Sequence, residues 1–362
     1  MNHWNYPLLE NISKQPDGMV KERFRHTDTR HDAIHFMLQY NLCRTGKVYD
    51  ALWPIFSEAV TLAREEQQHK GVASTLTERK EVKIILHKLA CGGIQLPSLP
   101  NIFTSLMALM NDTKSSAKDF EAVIRKDTAL TAKLLQLVNS AFFGYAYRSR
   151  IDSVSLAVSI VGIDGLFSLV LSMCVVRMFR NIPTRLIGMT AFWKHAISCG
   201  IAARLIAIHK GYREIERFFV AGILHDMGRL LILQHLPCQA KQTMVESIMG
   251  KQVLHMTEKR LLGFDHAWIG SILMKKWQLP ENLIDMVKFH HAPQKAANLS
   301  ETAIVHVAEI VAGALCMGTS GELYIPPLCE KGWEAVDMDA TVLGDIMEKV
   351  ESQVVQTQSI FL

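Results

Sequence analysis

The sequence predicts an all-α protein. Apolar residues recur at three- and four-residue steps, as in Phe120, Val123, Ile124, Ala132, Leu135 and Val138, the mark of an amphipathic helix. Alternating strand patterns bounded by turn residues are scarce. Of the 362 residues, 49% are hydrophobic and 20% charged, which allows a sizeable core and rules out disorder of the chain as a whole.

Residues 1–95 are polar and helix-prone, with charged stretches at Arg64–Lys70 and Glu78–Lys83, and form an N-terminal helical region of unknown function. Within it, His31 and His35 stand one helical turn apart but lack a third ligand, so a solvated helix face is the better reading. Gly92, Gly93, Pro97 and Pro100 then punctuate the chain as a boundary. Residues 96–318 are the apolar centre. There Ser153–Phe179 tempts a membrane reading, but Gly162, Asp164 and Gly165 interrupt it, and two buried helices joined at that break fit better. Helical patterns continue through Ala191–His209, Glu216–Gln234, Trp268–Trp277 and Thr302–Leu315. The tail, 319–362, opens with the loop-like Gly318–Pro327 and ends in a helix near Ala340–Gln356, striped by Val342, Ile346, Val350 and Val354.

Net charge is +4, the sum of unlike parts: Ser320–Leu362 holds eight acids and two lysines, or −6, which leaves +10 on the rest. Such a tail is expected to pack against the basic body. Phe142, Phe143, Tyr145 and Tyr147 beside Arg148 and Arg150 suggest base stacking, yet helix-end packing explains them better, and nucleic acid is not the expected partner. The seven cysteines are scattered without a C-x-x-C pair, and Met1–Tyr6 is not a signal segment, so the expected location is the cytoplasm, off the membrane. No phosphate loop, G-x-G-x-x-G turn or nucleophile elbow is present, and no nucleotide cofactor is expected.

Histidine placement is the most informative feature. None of the 15 lies between His87 and His195, and nine fall from His195 to His306. His225-Asp226 ends the apolar run Phe218–Leu224, where an ionisable pair needs compensation. A divalent ion (zinc, iron, manganese or nickel) supplies it, and a buried ion pair or helix-end contact is the alternative. His195, His266, His290, His291 and Glu309 complete a shell able to hold one metal or two. His209, His235 and His255 read as surface or hydrogen-bonded residues.

In these residues the chain resembles the HDOD domain, a bacterial signalling relative of the HD phosphohydrolases. The resemblance runs from Leu96 to about Gly318. It is carried by Leu96-Pro97-Ser98-Leu99-Pro100, by Ile124–Thr131, by Leu134–Gly144, and by Ser153 to Gly162. Further anchors are Ala221-Gly222-Ile223-Leu224-His225-Asp226-Met227-Gly228-Arg229, Gly263-Phe264-Asp265-His266, Trp277-Gln278-Leu279-Pro280 and His290-His291. It implies an all-helical, HD-superfamily-like HDOD domain, here with an N-terminal helical extension and a C-terminal helical tail. By the same resemblance, His195, His225 and Asp226 match the H…HD ligands, and His266 and His290 or His291 match second-metal positions. Glu309 stands where the pattern has aspartate, Arg229 where many relatives carry lysine, and Thr128 follows Asp127 where proline is usual. No G-Y-P motif follows His291, which argues against cyclic di-GMP hydrolysis.

The expected function is therefore a cytoplasmic regulatory protein acting through a protein partner in a signalling pathway, with a possible bound metal. The alternative is a metal-dependent phosphohydrolase acting on a nucleotide or other phosphoester, with Arg229 or Lys194 neutralising charge on the phosphate. The sequence says nothing of oligomeric state.

Overall fold

The computed structural model describes residues 97–362 apart from 113, 144–149, 181 and 183–185. The expectations for 1–95, including His31 and His35, lie outside the described residues, as do Tyr145, Tyr147 and Arg148. Among the described residues every regular element is a helix.

Five helices form the first layer: α1 (Asn101–Asn111), α2 (Ala117–Ile124), α3 (Thr128–Val138), α4 (Val154–Val161) and α5 (Ile163–Phe179). The apolar periodicity from Phe120 to Val138 reads as one helix, but the structure breaks it in two. Asp127 leaves the helical path and its carboxylate accepts from the Leu130 amide at 2.9 Å, which starts α3 afresh. Thr128 occupies the first helical position. The interrupted run Ser153–Phe179 is two helices bent by 114° at Gly162, as its glycines predict. Phe142 is buried against Phe219, with the Arg204 guanidinium 4.5 Å above its ring, so it packs a helix end and offers no face to a base.

The second layer is built around α6 (Met189–His209). This helix is long and apolar enough to cross a membrane by length and composition, but 78% of that window is buried inside the fold. Around and beyond it run α7 (Glu216–Leu224), α8 (Met227–His235), α9 (Pro237–Gly250), α10 (Leu254–Leu262), α11 (His266–Lys276), α12 (Glu281–Lys288) and α13 (Leu299–Ala314). The continuous pattern of Glu216–Gln234 is in fact α7 and α8, separated at His225-Asp226. Distant motifs meet here: the Trp277 indole donates to the Pro97 carbonyl at 2.8 Å, tying the start of the domain to the end of α11.

Two glycines set the spacing that the rest needs. A Cβ on Gly222 would lie 2.5 Å from the Gly200 nitrogen, so α6 and α7 touch backbone to backbone. A Cβ on Gly228 would lie 1.9 Å from the His266 carbonyl oxygen, so α8 and α11 do the same. These contacts bring His195, His225, Asp226 and His266 within reach of one another.

The tail packs within the molecule. After α14 (Glu330–Val336), α15 (Ala340–Phe361) lays Leu343, Ile346, Met347, Val350, Val354 and Phe361 into the core against α3, α5 and α6. Lys133 adds a bond from its ammonium to the Phe361 carbonyl at 3.1 Å. Leu343→Ala, removing a fully buried side chain, is expected to cost about 2–5 kcal/mol in denaturant unfolding. Gly228→Ala should cost at least about 1–3 kcal/mol, the range for overpacking, because backbone rather than a flexible side chain must yield. Either variant melting with the parent would refute the packing described.

Candidate metal centre

The chain breaks at His225-Asp226 because the carboxylate there does not serve the helix. Asp226 sits in the cap position of α8, where aspartate ordinarily accepts from the helix amides, but it makes no such bond. Asp226 is 1% exposed, and neither oxygen meets a donor in hydrogen-bonding alignment. They face histidines instead: His266 Nε2 at 2.9 Å, His225 Nε2 at 3.1 Å and His195 Nε2 at 3.7 Å.

The histidines are aimed from behind. His225 Nδ1 lies 2.6 Å from the Gly222 carbonyl, and His290 Nδ1 lies 2.6 Å from the Val287 carbonyl. Nδ1 can only donate to a carbonyl, so Nε2 of a neutral ring carries a lone pair toward the centre. His266 is held through Nδ1 by Glu258 Oε2 at 2.6 Å, and the same oxygen accepts from the His266 amide at 2.9 Å. His291 Nε2 approaches His266 Nε2 at 3.0 Å, and His290 Nε2 does so at 3.4 Å.

All seven residues expected as metal ligands thus come together, six of them in two trios. His195, His225 and Asp226 form one, and His266, His290 and His291 the other; within each, one ligand atom per residue lies within 4.8 Å of the others. Glu309 joins neither trio but stands beside the second, its Oε2 3.4 Å from His291 Nδ1 and 3.8 Å from His290 Nε2. Its longer arm still reaches the rings. His306, one turn earlier on α13, is structural: its Nδ1 meets the His290 carbonyl at 2.7 Å and its Nε2 accepts from the Cys329 amide.

Electrostatics fit a cation. Burial, followed by the neighbouring charge of His225, pushes His195 down to about 3, and burial likewise pushes His290 and His291 well below the usual imidazole range. These rings are neutral and able to coordinate. Burial opposes a charge on Asp226 too, but Arg229, His225 and His266 overcome it and hold the carboxyl well below its ordinary range. Burial raises Glu309 to about 8. For His266, burial and Arg229 oppose a proton while Glu258 and Asp226 favour one and win, taking it to about 9. Asp226, Glu258 and Glu309 are buried with one guanidinium, Arg229, and Glu322 lies close by. The unpartnered His225 Nε2, Asp226 oxygens and Glu309 Oε2 are what a bound divalent ion would satisfy.

Arg229 and Lys194, singled out for phosphate, lie differently. Arg229 is 2% exposed and already faces Asp226 at 3.5 Å, Glu258 at 3.7 Å and Glu322 at 3.9 Å, while its Nη1 donates to Ser320 Oγ at 2.7 Å. Lys194, half-buried next to His195, makes no ion pair among the described residues. His209 is exposed and His235 half-buried, as expected of surface histidines, but His255 is not: it is buried and stacks on His291, ring centroids 3.9 Å apart. Glu258, Ser320 and Glu322 went unnoticed in the sequence, where no spacing ties them to the histidines.

Comparison with known proteins agrees with this architecture. A protein of Geobacter sulfurreducens named as an HDOD domain protein of unknown function superposes with a TM-score of 0.62 at 23% identity, over 80% of this chain and 98% of its own. A candidate metal-dependent phosphohydrolase of Shewanella amazonensis SB2B gives 0.53 at 19%, over 76% and 99%. A candidate signal transduction protein of Marinobacter aquaeolei VT8 gives 0.56 at 18%, over 74% and 59%. Likenesses at these identities show the fold. An uncharacterized protein of Treponema pallidum (strain Nichols) is 29% identical over 213 residues, 57% of this chain, and the match spans only 40% of that protein's length. The HDOD domain profile matches residues 96–293, more than half the chain, and ends before Glu309. The chain belongs to the HDOD domain family.

Proposed function

We propose that this protein is a cytoplasmic signal-transduction module that works through a protein partner and whose HDOD core holds one or two divalent ions. The observation that carries this reading is the burial of a full ligand set. His225, His266 and His290 are wholly buried, Asp226 is 1% exposed, Glu309 3% and His195 6%. Such a centre grips an ion and stiffens five helices around it, and offers little room for a substrate. His195, His225 and Asp226 would hold one ion; His266, His290 and His291, with Glu309 alongside, would hold a second.

A metal-dependent phosphohydrolase is the second reading, favoured by the presence of both trios. A divalent ion bound there would lower the pKa of coordinated water and polarise a phosphoryl oxygen. The chain itself would supply orientation through the Nδ1 anchors and a proton held at Glu309 Oε2, which burial keeps at neutral pH. Arg229 is already engaged by three carboxylates, so Lys194 is the cation left to meet a phosphate.

Elemental analysis of purified protein should find iron, manganese, nickel or zinc at about one or two equivalents. His225→Ala and Asp226→Asn should each lower affinity by at least about tenfold, in the range seen when metal-site partners are lost. Metal-free protein with no affinity for any of the four would overturn the reading. Binding should also tighten as pH rises from neutrality toward about 9, because His266, and His225 whose proton Asp226 likewise holds against the opposing effect of burial, must give up protons to coordinate. Calorimetry in buffers of different ionisation enthalpy counts those protons directly, and no release on binding would exclude His225 and His266 as ligands. A phosphodiesterase and nucleotidase screen with the loaded protein decides between the two readings; turnover lost in His225→Ala would establish the enzyme.

A further inference from the structure

The three rings of the second trio are not held alike. His290 is anchored through Nδ1 on the Val287 carbonyl and His266 through Nδ1 on Glu258, each at 2.6 Å. His291 has no such anchor. It stands on the turn past the end of α12, and its Nδ1 is buried without a hydrogen bond, with Glu309 Oε2 3.4 Å away. Its bond to His266 Nε2 at 3.0 Å joins two would-be ligand atoms, and gives way once an ion takes them. A ring fixed only at Cβ turns about its side-chain torsions, and a ligand that must be ordered on binding costs affinity.

His255 supplies the missing support. Its ring lies flat on that of His291, centroids 3.9 Å apart and planes 13° from parallel, whereas His290 and His266 meet the same ring at 50° and 88°. Imidazole lone pairs lie in the ring plane, so two rings stacked in this way cannot aim at one ion, and His255 is no ligand itself. It is buried on the first turn of α10, three residues before Glu258, so the two side chains share one face of that helix. None of the expected ligands lies on α10, yet through this face it backs two of the three rings: Glu258 bonds His266, and His255 stacks on His291. Stacking suits the task, because it fixes the plane of a ring while leaving both nitrogens free, where a hydrogen bond would occupy one.

We propose that His255 is a positioning residue for a second ion, its flat ring holding His291 at the angle that coordination needs. This rests on the two-ion form of the metal reading above, and gives the second ion a support on α10.

The test is titration calorimetry of the full chain with nickel(II) chloride, an ion suited to imidazole. His290→Ala identifies which step of uptake belongs to the second trio. His255→Leu and His255→Phe are then compared, since both are apolar and fill the space but only the second keeps a flat ring. His255→Leu should weaken the second step about tenfold, at the lower end of what losing an outer partner of a metal site costs, and leave the first step unchanged. His255→Phe should restore most of the second step. A His255→Leu protein that binds both ions as the parent does would overturn the positioning and leave the metal centre standing. Equal weakening in the two variants would overturn it too, as would weakening of both steps together, which a general loosening of the fold produces. A parent chain that takes up one ion only, or none, would remove the second site and the role of His255 with it.

Discussion

A buried carboxylate ringed by imidazoles organises this molecule. Asp226 stands at the junction of α7 and α8, in the position where a side chain ordinarily closes the helix, and turns away from it. Leaving such a group buried is expensive, and a protein retains that cost where it serves a function. Here the surrounding helices are placed around it. The contact of Gly222 with Gly200 sets His195 beside His225, and the contact of Gly228 with the His266 carbonyl sets the third imidazole against the same carboxylate. Anchors on Nδ1 fix the rings before any ligand arrives, so the cost of ordering them is met in folding rather than in binding.

That arrangement also limits what Arg229 can do. In an open site a guanidinium three residues after the aspartate would be free to meet a phosphate. In this chain it lies among Asp226, Glu258 and Glu322, two from the histidine-bearing core and one from the chain beyond α13. It therefore ties the start of α8 to Glu258 on α10 and to Ser320 and Glu322 beyond α13. The same fold can serve either regulation or catalysis, and in this chain the guanidinium nearest the histidines is engaged by the chain's own carboxylates.

Much of this was legible in the sequence for a simple reason: helical periodicity and residue type are local. The run His225-Asp226 after an apolar stretch announces a buried ionisable pair, and the histidines from His195 to His291 supply its partners. What periodicity does not see is where a helix stops inside an apolar pattern. Phe120–Val138 reads as one helix, and the helical pattern of Glu216–Gln234 runs on past the His225-Asp226 pair that ends a buried helix, because the apolar face continues through the break. The breaks are made by single carboxylates, Asp127 capping α3 and Asp226 declining to cap α8. Glu258, Glu322 and His255 were illegible on the same grounds. Each is an ordinary polar residue in its own helix or loop, and only the tertiary fold brings it beneath the histidines.

The charge asymmetry of the chain takes on a different meaning in three dimensions. The charges, −6 on the tail and +10 on the rest, suggest a tail held to the body by opposite charge. The contacts that seat α15 are instead apolar, with Leu343, Val350 and Val354 wholly buried. Apolar contacts persist in salt, whereas exposed charge pairs fade within a Debye length. One tail carboxylate does enter the centre, Glu322, and it does so where Arg229 and the Leu254 amide can receive it. The seat of α15 is therefore a packing interaction, and Glu322 makes a charged contact between tail and core.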